Sequence, residues 1–225
     1  STPEPSSAAS DVYKRQSHGV GHSAQALDAR SRRAMAAMVS SRSGWFERYV
    51  TAPLARSVIP LLVPRTVPVL AVAAAGGVVG LLGTTLTAFG YDVSGLLLTL
   101  VGTLGLSLGA ILADLRDESG SATWLTRAAA ILPALAVLAY GHDATQLSVD
   151  GSEQMLAIAG VVLAGLGERA LGPAPRRMWW GSPPAYLLLV WLGALLSSPM
   201  LGLGLAATYA AATLAAGIER LRTLA

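Results

Sequence analysis

The chain contains no cysteine. Disulfides, thiolate zinc sites and cysteine nucleophiles are therefore excluded, and the redox compartment leaves no trace in the sequence. Charge is scarce as well: of 225 residues only 13% are charged, against 53% hydrophobic. With a mean hydropathy of +0.54 this is too apolar and too charge-poor for an ordinary soluble domain, and it predicts a polytopic membrane protein. The histidines are only His18, His22 and His142. A metal site needs several ligands brought together, and these are scattered. No P-loop, dinucleotide fingerprint, GxSxG or HExxH pattern occurs. The small net charge of +3 gives no electrostatic footprint for nucleic acid.

What is present in quantity is small and apolar residues. The 24 glycines, together with abundant alanine, suit closely packed membrane helices, where lipid gives no hydrophobic drive and backbones must approach one another. Six apolar segments stand out, at about 67–89, 93–114, 124–140, 154–172, 184–198 and 200–218. A bilayer span takes about 20 residues, so the first two are secure. The last two form one run split by Ser197, Ser198 and Pro199, and a tight turn there is expected. Gly76 and Gly80, then Gly102, Gly105 and Gly109, lie at small-residue spacing. General close packing within one bundle is the preferred reading, and a homodimer motif the alternative. Pro133 is expected to kink the third span.

Before these segments the chain divides by composition. Residues 1–16, STPEPSSAASDVYKRQ, are low in complexity, lack an initiator Met and resemble an adapter-derived leader of metagenomic origin, so they are set aside. Residues 17–43 read as a basic cytosolic linker carrying Arg30, Arg32 and Arg33. Residues 44–66 interleave Trp45, Phe46, Tyr49, Leu54 and Ile59 with Arg48 and Arg56, which suits an interfacial amphipathic helix broken by Pro53 and Pro60. The rest, 67–225, is the expected six-helix transmembrane domain. The chain is expected to begin within a longer protein.

Arginine and lysine set the expected orientation. Nine of the 16 precede residue 66, and the others are Arg116 and Arg127, then Arg169, Arg176 and Arg177, then Arg220 and Arg222. Alternate connections carry none, which predicts an inner-membrane, multi-pass protein with both termini cytosolic. The stretch from Leu104 to Arg127 then becomes a cytosolic hairpin. Its Asp114, Asp117 and Glu118 are the first carboxylates after a long uncharged run, and oxygen ligands of this kind suit magnesium or calcium. Gly120 and the serines around it favour a solvated loop instead, so these three remain candidates only. Glu168, followed by Arg169, reads as a local ion pair.

In this order of features the chain resembles the CDP-alcohol phosphatidyltransferase family over about residues 40–222. The resemblance rests on SGWFERYVTAPLARSVIPLLV before the first span, ADLRDESGSATWLTR between the second and third, and LLSSPMLGLGLAATYAAATLAAGIERL at the end. It implies an all-α six-span bundle that moves a phosphoalcohol unit from a CDP-linked donor, using four aspartates that hold divalent metal and supply a base. Those aspartates, in D-x-x-D-G-x-x-A-R followed by G-x-x-x-D-x-x-x-D, are absent. Aligning Ala113 to Arg116 places Leu106 and Gly109 on the first two and Ala110 on the glycine, and a shifted register places Gly105 and Leu108 there. In the second half the positions fall on Thr126 and Ala130, or on Arg127 and Ile131. The family's Pro-Asn-x-x-Thr element is reduced to Thr66-Val67-Pro68-Val69-Leu70.

The resemblance therefore implies a member without catalytic residues or a resident cofactor, acting as a membrane anchor or partner module in phospholipid or phosphoalcohol metabolism. Its expected partners are membrane lipids and a fused or separate cytosolic nucleotidyltransferase, with Arg48, Arg56 and Arg116 near lipid headgroups or phosphate. Two rivals stay open. One is an active transferase using Asp114, Asp117 and Glu118 with magnesium or manganese. The other is an unrelated transporter or structural protein with a polar cavity built from Thr84, Thr85, Thr87, Thr99, Thr103, Ser107, Thr208 and Thr213, although hydroxyls in helices usually bond to helix carbonyls.

Overall fold

The computed structural model describes residues 46–62, 67–116, 118–147, 150–171 and 183–224, and every regular element among them is helical. A π-helical turn, Glu47–Thr51, leads into α1 (Ala52–Leu62). There follow α2 (Val69–Ala88), α3 (Asp92–Leu115), α4 (Ser119–Leu147), α5 (Ser152–Leu171), α6 (Pro183–Leu195) and α7 (Pro199–Leu224). Successive helices from α2 to α5, and the α6–α7 pair, pack side by side; α5 also packs along α7, and α3 touches α6.

The expectation of six spans requires correction. Among the described residues four helices are long and apolar enough to cross a membrane: Val69–Ala88, Asp92–Leu115, Ser119–Gln146 and Pro199–Thr223. That fits a multi-pass membrane protein. The fourth and fifth apolar segments become shorter apolar helices, Ser152–Gly167 and Pro184–Leu195. At about 1.5 Å per residue, the 13-residue α6 falls well short of a hydrocarbon core about 30 Å thick.

Two turns show why the helices end where they do. At the end of α2 the Tyr91 amide donates to the Leu86 carbonyl and the Gly90 amide to Thr87, both at 3.0 Å. Gly90 takes φ +82°, the left-handed conformation that glycine adopts without a Cβ penalty. The same pattern closes α6, with Ser198 donating to Gly193 and Ser197 to Ala194, each at 3.0 Å. There Ser197 itself takes φ 51°, and Pro199 opens α7. The tight turn expected at Ser197–Pro199 is present.

The hairpin after α3 differs from its expected form. Gly120, Ser119 and Ser121 form the first turn of α4, not a loop, and the helix runs on to Leu147, past the expected end of the third apolar segment. Pro133 lies inside this continuous helix. Pro60 likewise lies inside α1, and Pro53 follows the π-helical turn Glu47–Thr51, so the prolines do not divide that segment. The apolar stripe of α1, Ala55 and Ile59, is buried against Leu108 and Ile111 of α3.

The bundle is held by two apolar clusters and a glycine seam. Val69 and Ala73 of α2 meet Leu106, Leu112 and Ala113 of α3 and Leu125, Ala129 and Leu132 of α4. A larger cluster joins Leu96 to Val137, Tyr140, Ala157, Leu187, Val190 and Leu203, tying α3 through α7 together. The Trp191 indole N–H donates to the Val93 carbonyl at 3.1 Å, pinning α6 to the start of α3. Between α2 and α3 the backbones themselves touch. A Cβ built on Gly76 would lie 2.7 Å from the Leu106 amide nitrogen, and one on Gly105 would lie 2.9 Å from the Gly76 Cα. The expected small-residue motif is thus used for packing within the chain.

Candidate functional site

The hairpin between α3 and α4 carries Asp114, Arg116 and Glu118, and its geometry follows from where α3 stops. The helix ends at Leu115; the amides of Arg116 and Glu118 both donate to the Ala113 carbonyl, at 3.1 and 2.9 Å. Because the helix stops there, Asp114 and Glu118 are not successive turns of one helical face. Asp114 is exposed in the last turn of α3, Glu118 is exposed just before α4, and Arg116 is half-buried at the cap. Asp117 lies outside the described residues. Among the described residues no group of three or more Asp, Glu or His could hold an ion.

A groove of about 340 Å³ does open beside this hairpin. Its walls are Val69, Leu70 and Ala73 from the start of α2 and Gly120, Ser121, Trp124 and Leu125 from the start of α4, with Glu118 at the edge. Trp124 is 63% exposed. Its polar side-chain groups are the Glu118 carboxylate, the Ser121 hydroxyl and the Trp124 indole N–H, and the rest of its lining is apolar.

The positions that the resemblance would fill with aspartates do not line this groove. Leu106 is 4% exposed in the apolar cluster between α2 and α4. Gly109 is buried, and a Cβ there would stand 3.5 Å from Leu125 Cδ1 and 3.6 Å from the Ala73 backbone. In the other register Gly105 faces Gly76 and Leu108 packs on α1. On α4, Thr126 is exposed and donates its hydroxyl to the Ala122 carbonyl at 2.8 Å, while Ala130 is half-buried and Arg127 and Ile131 are exposed.

The remaining candidates are placed as follows. Arg56 is exposed on α1. Arg48 belongs to the π-helical turn, and its side chain lies outside the described residues, as do His18 and His22. His142 is exposed near the end of α4. The eight hydroxyls considered for a polar cavity each donate to the carbonyl four residues earlier: Thr84 to Gly80, Thr85 to Leu81, Thr87 to Gly83, Thr99 to Gly95, Thr103 to Thr99, Ser107 to Thr103, Thr208 to Gly204 and Thr213 to Tyr209. Thr99 also reaches the Gly80 carbonyl of α2, at 3.4 Å.

A second polar group, unanticipated from the sequence, lies at the opposite end. Asp92 opens α3 directly after the Gly90 turn, and Asp143, near the end of α4, sits against that turn. The signal available was an aspartate immediately before a long apolar helix, which marks a first-turn position.

Comparison with protein-family models, curated proteins and solved structures finds no match to this chain.

Proposed function

We propose that this chain is a non-catalytic membrane module of CDP-alcohol phosphatidyltransferase type, anchoring or positioning a fused or partner nucleotidyltransferase at the inner leaflet. The observation that carries this reading is the packing at Leu106 and Gly109. A catalytic centre of that family needs carboxylates converging on metal and donor phosphates, and here the corresponding stretch of α3 is sealed against α2 and α4. Asp114 and Glu118, the carboxylates left nearby, face solvent. Arg56 and Arg116 would then contact headgroup phosphates on the cytosolic side, with both termini on that side as the arginine distribution favours.

The test is CMP release by the purified full chain in lipid nanodiscs, with a CDP-alcohol donor, an alcohol acceptor and magnesium or manganese. No release above a protein-free control is expected. Metal-dependent release that disappears in Asp114→Asn would establish the active-enzyme alternative.

A further inference from the structure

The groove beside the hairpin changes chemical character with depth. Two helices long and apolar enough to cross a membrane, Val69–Ala88 and Ser119–Gln146, begin side by side at its walls. Helices that span from these starts leave the hydrocarbon at the groove, which then opens at the level of lipid headgroups. The walls are apolar and accessible, with Leu70 76% exposed. Glu118 stands just ahead of α4, where its carbonyl accepts the Ala122 amide. Ser121 comes three residues later and Leu125, 2% exposed, four after that. Offsets of three and four share a helix face, and at about 1.5 Å per residue the carboxylate, the hydroxyl and the apolar floor are spread over about 10 Å of depth.

Charge decides what such a groove accepts. Among the described residues Glu118 is the only acidic or basic side chain in the lining, so the mouth attracts a cation and repels an anionic headgroup. The exposed Trp124 ring beside it strengthens the preference, because an aromatic face also attracts ammonium groups. A carboxylate accepts N–H bonds, which a primary ammonium donates and a quaternary one cannot. Quaternary groups are held by cages of aromatic rings, and this groove has one ring. The Ser121 hydroxyl and the indole N–H are donors that a phosphate ester can accept. A volume of about 340 Å³ falls at the lower end of the range usual for small-molecule sites, which are likewise mostly apolar with a few placed polar groups.

We propose that this groove binds a membrane phospholipid with a primary ammonium headgroup, of the phosphatidylethanolamine class. The ammonium sits at Glu118 and Trp124, the phosphate at Ser121, and an acyl chain runs along Val69, Leu70 and Leu125. Ammonium outermost, phosphate next and hydrocarbon innermost is the order of such a lipid in a bilayer, and it is the order of the groups along α4. The site rests on the helices lying in a membrane and not on the anchoring role, so CMP release by this chain would leave it standing.

The experiment uses the full chain, taken from nanodiscs holding equal phosphatidylethanolamine, phosphatidylcholine and phosphatidylglycerol, with retained lipid read by native mass spectrometry. Phosphatidylethanolamine should be retained about threefold over phosphatidylcholine, the ratio that an exposed ion pair with a cation–π contact produces, and phosphatidylglycerol least. Glu118→Gln should bring phosphatidylethanolamine down to the phosphatidylcholine level without moving the melting temperature. Asp114→Asn, whose carboxylate is exposed but does not line the groove, should keep the preference. Excess water-soluble phosphoethanolamine should not displace the lipid. Equal retention of the three lipids, a preference that survives Glu118→Gln, an equal loss in Asp114→Asn, or displacement by phosphoethanolamine would each overturn the proposal. So would disulfide cross-linking of Trp124→Cys between chains, since the chain has no other cysteine and the link would put a second copy in the groove.

Discussion

Helix α3 belongs to two regions that solve opposite problems. Along its middle it presents Gly95, Gly102 and Gly105 to Gly76, Gly80 and Gly83 of α2, and backbone meets backbone. At its end it presents Asp114 and the Arg116 cap to the surface beside an open groove. Where lipid supplies no hydrophobic drive, contact has to come from van der Waals fit, so the seam tolerates nothing larger than hydrogen. At the hairpin end the carboxylates of Asp114 and Glu118 are exposed, so their identity matters less to the fold. The difference teaches where a substitution reads out stability and where it reads out chemistry alone.

Gly102→Leu should break the seam. Its first added carbon would meet the Gly80 backbone, which cannot rotate away, and a loss of about 3 kcal/mol is expected for overpacking of this kind. Thermal unfolding in detergent micelles measures it. Gly77→Leu is the internal control, because a Cβ there meets nothing within 4 Å, and its melting temperature should match wild type.

Leu112→Ala tests the apolar cluster where the seam gives way to the hairpin. Leu112 is fully buried, and about 2 kcal/mol should be lost, the low end for such truncations because the lipid-embedded unfolded state is itself apolar. A smaller effect is expected at Thr99, whose hydroxyl bonds to Gly95 at 2.9 Å and reaches the Gly80 carbonyl across the seam at 3.4 Å. Thr99→Val keeps the shape and should cost about 0.6 kcal/mol, the usual worth of a polar contact between membrane helices. The smallest effect belongs to the hairpin end: Asp114→Asn and Glu118→Gln should each stay within about 0.5 kcal/mol of wild type. A larger loss at either would mean that the exposed end carries fold energy after all.

Part of this arrangement was legible in the residues. Scarce charge, long apolar segments and the glycine spacing specify an all-helical, membrane-compatible bundle, because those properties depend on composition and local period. Ser197-Ser198-Pro199 marked a turn because a proline follows two residues with no helical commitment. The start of α4 at Ser119 was not legible. Serine and glycine are poor helix formers, but here the Glu118 carbonyl accepts the Ala122 amide at 3.0 Å, and packing of Leu125 and Ala129 holds the helix above them.

The candidate site divides in the same way. That Leu106, Gly109, Thr126 and Ala130 are not carboxylates could be read directly, since it is a matter of identity. That Leu106 and Gly109 are sealed in a helix interface while Thr126 points to the surface could not be, because partners across a bundle are set by rotation and register. Asp92 is the sharpest case. The sequence by itself determined that an aspartate precedes an uncharged run of 20 residues or so; only the tertiary structure set Asp143 against the turn that leads into it. The reason is physical: periodicity fixes which residues share a face of one helix, whereas the distance between residues 51 positions apart is decided by how helices pack.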